Sequence, residues 1–513
     1  MGSYISRTMS EDDSRTVSDS ESDSDQDYRT MLRSLINSGQ VQIQVPLFVR
    51  GSSPEYLKSP KITRKHCTKS LDDSEFSLIT RQDSGLSEPK IRRAKNVTKL
   101  MTNREIGFYP NDCFSKNKKC SISNRYLPNE MSLLDNSSGK VFCGVFSKDG
   151  SRFITAAQDR SIRLYNSDDG SYKFIRSIRA RDVGWSIIDV AFSPNREHFV
   201  YSTWSSALHL CSVNENTDHQ EPLSLLKSGR RFCVFSVVFS SDGKELLGGA
   251  NDGCLYIYDL EQHGRKLKIP AHEYDVNSVC FADESSHIIY SGGDDGHVKV
   301  WDRRTLDEKS PQPVGVLAGH VDGVTFIDSK GDGRHLISNS KDQSIKLWDV
   351  RVFSGSDAAE QSFRAVTEQT WDYRWQDVPK KLFTTKAKLE GDTSVMTYKG
   401  HVVIKTLVRC RFSPLHTSGQ RYIYTGCGIG RVVVYDSLTG EVVTTLDGQC
   451  ACVRDVDWHP YRNEILSSSW DGTVGKWSYS GPLDDDEEMW KDIEEESPFR
   501  RSSRLALKRR LKT

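Results

Sequence analysis

No apolar run among the 513 residues approaches the roughly 18 that a membrane span requires, so no stable membrane insertion is expected. The N-terminus has no apolar stretch of the secretory kind, and no signal peptide is read there. CxxC pairs are missing. The 12 cysteines are scattered, with Cys450 and Cys452 the closest, which fits a reducing intracellular compartment and gives no metal site. A charge excess is missing too: 70 Lys and Arg balance 70 Asp and Glu. That balance argues against a surface that coats nucleic acid, and no specific nucleic-acid partner is expected. The phosphate-cradling GxxxxGK[ST] and the hydrolytic GxSxG and HExxH are absent. No catalytic residue and no cofactor is assigned, and an enzyme is the weakest reading. Function is expected to come from surfaces.

What is present begins with a break in composition near residue 140. Before it the chain is polar and rich in Ser, Asp and Lys; after it, apolar runs of four to six residues separated by turns continue to about residue 480. These runs repeat. GGDDGHVKVWD at 292–302 and SNSKDQSIKLWD at 338–349 each carry a turn Asp six residues before a Trp-Asp pair. The same spacing links Asp159 to Tyr165, Asp252 to Tyr258 and Asp471 to Trp477, and more weakly Ser205 to Cys211 and Ile429 to Tyr435. Successive turn positions lie 46, 47, 43, 47, 87 and 42 residues apart, so the fifth interval holds one repeat plus an insertion, placed at 352–393.

A period near 45 that ends in WD is the blade signature of a β-propeller, and these repeats resemble the WD-repeat family. The expected fold is all-β: a seven-bladed propeller over 121–480, with a mostly disordered N-terminal region at 1–120 and a charged tail at 481–513. Blade seven lacks an outer strand after Trp477, and Ser121 to Leu127 is expected to supply it and close the ring. The resemblance implies a hydrogen-bonded relay within a blade, here His272, Ser291, Asp295 and Trp301, then His320, Ser338, Asp342 and Trp348. A buried indole N–H and a buried carboxylate both need partners, so these residues are read as structural.

Two surfaces stand out. Repeats four and five continue past the WD pair as WDxR, giving Asp302 with Arg304 and Asp349 with Arg351. Strand c ends there, so both arginines are expected on one rim, at the c–d loops. They read as solvated loop ends or as a bidentate contact for partner carboxylates or carbonyls. On the opposite, top face the residues before the turn position include Trp204 and Trp470, joined from the d–a loops by Arg181, Trp185 and Arg231. Arginines among exposed aromatics fit an acidic peptide with apolar anchors; the alternative is that the tryptophans pack on neighbouring loops. The insertion carries Trp371-Asp372-Tyr373-Arg374-Trp375, too aromatic for a plain linker. It is expected on the rim of Arg351, as part of an interface or as a flap packed on the propeller.

The termini carry modification and targeting patterns. Ser18, Ser20, Ser22 and Ser24 each precede an acid by three residues, as acidophilic phosphorylation sites do. Met1-Gly2-Ser3 fits N-myristoylation at Gly2, against an acidic segment that anionic membranes repel. Short amphipathic helices are read at 28–39 and 90–105. Lys508-Arg509-Arg510 reads as a nuclear-import signal, a solvated tail or a weak nucleic-acid contact.

ARDVGWSIIDVAF at 180–192, LGGANDGCLYIYD at 247–259, the paired WDxR repeats and WDYRWQDVPKK at 371–381 resemble one group within the WD-repeat substrate receptors of cullin-4 ubiquitin ligases. The resemblance implies a non-catalytic subunit, nuclear and cytoplasmic. It implies docking to the cullin-4 adaptor, damage-specific DNA-binding protein 1, through the WDxR box. It also implies a cap'n'collar bZIP stress-response transcription factor as substrate. The alternative is a propeller scaffold in a nuclear or signalling complex without a ligase.

Overall fold

The computed structural model describes residues 69–86, 115–213, 219–226, 232–384 and 388–481, with Met101 and Glu105. Seven four-stranded antiparallel sheets make up the propeller, which meets the expected fold. The strands are numbered β1 to β28 in chain order. Blades one to six span Val141–Arg179, Ile187–Ser224, Val234–Pro270, Val276–Leu317, Val324–Tyr398 and Cys410–Asp447. They run from β2 (Val141–Phe146) to β25 (Val442–Asp447). Blade seven takes β26 (Val453–Trp458), β27 (Ile465–Ser469) and β28 (Thr473–Ser478) from the end of the array, and β1 (Glu130–Asn136) from its start.

The closing strand therefore exists, but not at Ser121 to Leu127. Glu130 pairs with Ser478 and Asn136 with Thr473, whereas Lys116–Ser123 is a helix. Ser115 caps that helix, its hydroxyl accepting from the Lys118 N–H. A strand over 121–127 would break the last turn of that helix, where the Asn124 and Arg125 N–H groups donate to the Cys120 and Ile122 carbonyls.

Burial follows position in the blade. The inner strands lie between neighbouring blades and are covered on both faces, so HLISNS at His335–Ser340 is buried throughout. The outermost strands are open, and on Lys173–Arg179 only Ile178 is buried. Hydrophobic contact joins blade to blade: Phe142, Ile162 and Ile178 of blade one pack with Ile187, Val190 and Tyr201 of blade two.

At several seams a side chain on an innermost strand fastens one blade to the next by accepting from a backbone N–H that its own sheet leaves unused. Asp189 accepts from the Val237 N–H at 2.8 Å, Ser278 from Ile327 at 3.0 Å and Asp328 from Phe412 at 2.8 Å. Asp455 and Asp457 close the ring by accepting from Gly144 and Phe146 at 3.2 and 2.8 Å. Along the axis, Arg409 Nη2 reaches Asp189 at 2.6 Å and its Nη1 reaches Asp455 at 3.2 Å, while Arg411 meets Asp455 at 2.8 Å. Burial works against the Asp455 charge, but Arg411 and Arg409 outweigh it and hold the carboxyl below its usual range.

Within the 1–120 region expected to be mostly disordered, two helices are docked. They are α1 (Lys69–Asp72) and α2 (Glu75–Asp83), followed after a gap by α3 at Lys116–Ser123. Phe76 of α2 is fully buried, its ring 5.3 Å from His335 and 6.4 Å from Phe412, with the Lys330 ammonium 4.6 Å over its face. Gly419, at φ +67, lets α2 close in: a Cβ there would lie 2.5 Å from the Ser84 nitrogen. The helices read at 28–39 and 90–105 lie outside the described residues, apart from Met101 and Glu105.

Candidate functional site

The relays of blades four and five are formed. His272 Nδ1 lies 2.9 Å from Asp295 and its Nε2 lies 2.7 Å from Ser291 Oγ, which also accepts from Trp301 Nε1 at 2.9 Å. In blade five, His320 meets Asp342 at 2.8 Å and Ser338 at 2.7 Å, and Trp348 Nε1 donates to Ser338 at 2.7 Å. Trp301, Trp348, Asp295, Asp342 and both histidines are buried, so no substrate reaches these groups. Burial pushes the Asp295 and Asp342 carboxyls up, and the facing histidines pull both well below the usual range. Blade six is wired differently. His401 Nδ1 lies 2.9 Å from Tyr435 Oη and its Nε2 lies 2.8 Å from Asn339 Oδ1, and burial lowers its pKa to about 4.

The bottom rim holds the WDxR arginines. Asp302 ends β16 (Val298–Asp302) and Asp349 ends β20 (Ser344–Asp349), so the chain turns at the same height on adjacent blades. In each turn the Asp carboxylate accepts from the Arg backbone N–H at 3.0 Å. It also takes the guanidinium as a fork: 2.9 and 2.7 Å for Arg304, 3.0 and 2.6 Å for Arg351. The arginines are thus folded onto their own carboxylates rather than extended into solvent. Their side chains remain 63% and 56% exposed. The fork holds Asp302 down at about 2. Glu75 of α2 stands 3.7 Å from Arg351 and 2.6 Å from Arg334, so the N-terminal helix shares this rim.

On the top face, Trp185 is 49% exposed and meets buried Phe142 edge-on at 5.2 Å; Phe142 lies 5.4 Å from Trp470. The Lys140 ammonium sits 4.1 Å over the Trp470 ring. Trp204 packs against Phe235 at 6.1 Å. Trp204 and Trp470 are half-buried, not open, and their indole nitrogens are buried without a hydrogen bond among the described residues. Arg181 is exposed, its backbone N–H donating to Tyr201. Arg231 lies outside the described residues, as do Gly2, Ser18, Ser20, Ser22 and Ser24.

The insertion corrects an expectation. It leaves the bottom rim after Asp349 but does not stay there. Ser354 N–H bonds Val316 beside β17 (Gly315–Leu317), and α4 (Ser356–Thr367) climbs past blade four. Ser362 of α4 donates to the His320 carbonyl at 2.6 Å and Phe363 stacks on Tyr274. WDYRW then lies on the top face. Trp371 Nε1 donates to Asp322 at 2.9 Å, the Tyr373 ring sits 4.3 Å from the Lys341 ammonium, and the Tyr373 carbonyl accepts from Lys405 N–H. The cause is the acidic top of blades four and five, where Asp275, Asp294 and Asp322 cluster. Lys341 meets Asp294 at 2.7 Å, while burial raises Asp322 to about 6 and Asp275 to about 7. A Trp N–H and the strap's packing satisfy groups that would otherwise face one another unpaired.

The WD domain, G-beta repeat family matches residues 130–166, 221–259, 264–302, 311–349 and 440–478. The chain is 43% identical over 397 residues to the DDB1- and CUL4-associated factor 11 homolog of Caenorhabditis elegans, covering 75% of this chain and 69% of that one. It is 42% identical to the LEC14B protein of Lithospermum erythrorhizon, over 80% and 89% of the two chains. The Caenorhabditis briggsae factor 11 homolog matches at 39%, over 76% and 72%. The chain belongs to the DDB1- and CUL4-associated factor 11 family of WD-repeat proteins.

Several residues of this factor 11 family chain escaped the sequence reading. Glu75 and Phe76 place α2 on the rim, and the signals for it are present: Ser74 caps the helix and Gly85 follows its end. Lys140 and Lys405 on the top face carry no motif; only the fold brings them together. Of the three aromatics in WDYRW, Trp375 alone stands out from the surface, at 85% exposed.

Proposed function

We propose that this chain is the non-catalytic substrate-binding subunit of a cullin-4 ubiquitin ligase. It docks to the adaptor, damage-specific DNA-binding protein 1, by its bottom rim and holds substrate on its top face. The observation that carries the reading is the pair of clasped arginines, Arg304 and Arg351, at one height on adjacent blades. It is supported by relatives whose names tie them to DDB1 and CUL4. Each Asp fixes its Arg rotamer, so a partner carboxylate or carbonyl meets a guanidinium already oriented, with less entropy lost on binding. Trp185, Trp470, Trp204, Arg181 and Arg231 are the proposed substrate contacts. A cap'n'collar bZIP transcription factor as substrate, and residence in nucleus and cytoplasm, rest on the family resemblance alone.

Affinity purification of the full chain from cells, read by mass spectrometry, tests this. Adaptor and cullin-4 are expected with the wild type, and a drop of tenfold or more in both with Arg304→Ala plus Arg351→Ala. Recovery of a stable complex without either protein would assign the chain to a scaffold instead.

A further inference from the structure

The strap formed by the insertion lies on the top of blades four and five, through Trp371 on Asp322 and Tyr373 beside Lys341. Two residues beyond Tyr373 stands Trp375. Its exposure is not that of a loose loop. The turn is closed by Trp375 N–H and Gln376 N–H donating to the Asp372 carbonyl at 3.1 and 2.9 Å. Asp372 N–H donates to Gln376 Oε1 at 2.9 Å, and Arg374 forks onto the Asp372 carboxylate at 2.9 and 2.7 Å. A large indole held out on a braced turn loses apolar contact with nothing gained for the fold, whereas a preorganised aromatic is the usual anchor of an interface.

From the strap, interactions run on toward blade two. Tyr373 is bonded to the Lys405 backbone, which stands at φ +70, strained for a lysine. Lys405 lies within electrostatic reach of Lys140; Lys140 covers Trp470, and Trp470 and Trp185 flank Phe142. Burial and the Lys405 charge both disfavour the Lys140 ammonium. Two cations are thus held near each other on the top face.

We propose that the strap turn and the blade-seven and blade-one loops form one elongated site for an acidic segment of a substrate polypeptide, with Trp375 and Trp185 as apolar anchors at its ends and Lys140 as the cation between them. The inference rests on the receptor reading for its occupant, and it makes the strap part of the recognition surface. A carboxylate over Lys140 supplies a counter-charge to an ammonium that burial disfavours, so binding and complementarity act in the same direction.

Selection of a random 12-residue display library on the full chain tests the proposal. Enriched peptides should carry acidic runs flanked by aromatic or aliphatic residues, and their affinity should fall with added salt. Trp375→Ala and Lys140→Glu should each weaken the best peptide at least tenfold, with Lys140→Arg retaining most of the binding. Thermal unfolding of each variant checks that the propeller is intact. Enrichment of neutral or basic peptides, or equal affinity of the variants, overturns the site. Tighter binding when Asp484, Asp485 and Asp486 are all changed to Asn would make the chain's own acidic tail the occupant, which also overturns it. Adaptor co-purification measured on the same variants separates the two readings. Lost peptide binding with adaptor retained supports both, whereas peptide binding to a chain that never recovers adaptor removes only the ligase.

Discussion

A guanidinium already folded onto a neighbouring carboxylate gives up less freedom when a partner arrives than one waving in water. This is why the Asp of each WDxR turn matters as much for direction as for charge. Asp302→Ala with Asp349→Ala is expected to weaken adaptor binding by about 1–2 kcal/mol, less than loss of the two arginines, because the charge stays but its orientation is freed. Calorimetric titration of purified adaptor into each variant distinguishes the two. His401 supplies a second residue-scale expectation. Its folded pKa, about 4, lies below the ordinary histidine value of 6.5. As pH falls below 6.5 the unfolded chain takes up a proton that the folded chain refuses until about pH 4. The wild type therefore loses stability across that window, on the order of 3 kcal/mol from this group. His459, also lowered to about 4, adds in the same direction. Urea unfolding at pH 7 and pH 4.5 should show a smaller loss in His401→Gln than in the wild type. An equal loss would mean that the imidazole protonates freely in the fold.

At the scale of elements, the N-terminal helix and the strap are additions that the propeller does not need in order to close. Phe76 anchors α2 between His335 and Phe412, so Phe76→Ala removes an aromatic ring's worth of burial, about 3–5 kcal/mol in a core. The helix here is short and unstable by itself. The loss is therefore expected to appear as undocking: proteolysis within 69–86 accelerates while the melting temperature of the propeller hardly moves. A large fall in that temperature would show that the helix is part of the ring's own stability. These elements are unevenly legible in the sequence. A turn Asp six residues before a Trp or Tyr recurs in five of the seven blades, so strand order was legible. The strap's path was not, because nothing within 352–393 says that its Trp371 will seek Asp322 on the far face rather than remain beside Arg351. A loop's course is set by distant acceptors, and those are known only once the blades are assembled.

For the whole molecule, closure is the organising fact. The sequence shows seven turn positions and a missing outer strand, which is enough to require that a segment before blade one supply it. It does not say which. An eight-residue helix capped at Ser115 and a strand-forming run at 130–136 compete, and the register of Glu130–Asn136 on β28 decides. The face on which Arg304 and Arg351 emerge follows from strand parity, whereas their clasps and the approach of Glu75 were not legible in spacing. The closed ring presents two faces, the bottom rim proposed for the adaptor and the top face proposed for substrate. The most direct measurement is titration of purified adaptor against the full chain, wild type and Arg304→Ala plus Arg351→Ala, with melting temperatures recorded for both. The account predicts a saturable complex for the wild type and an affinity at least tenfold weaker for the double variant at unchanged melting temperature. Equal affinities would place the adaptor elsewhere on the propeller and contradict it.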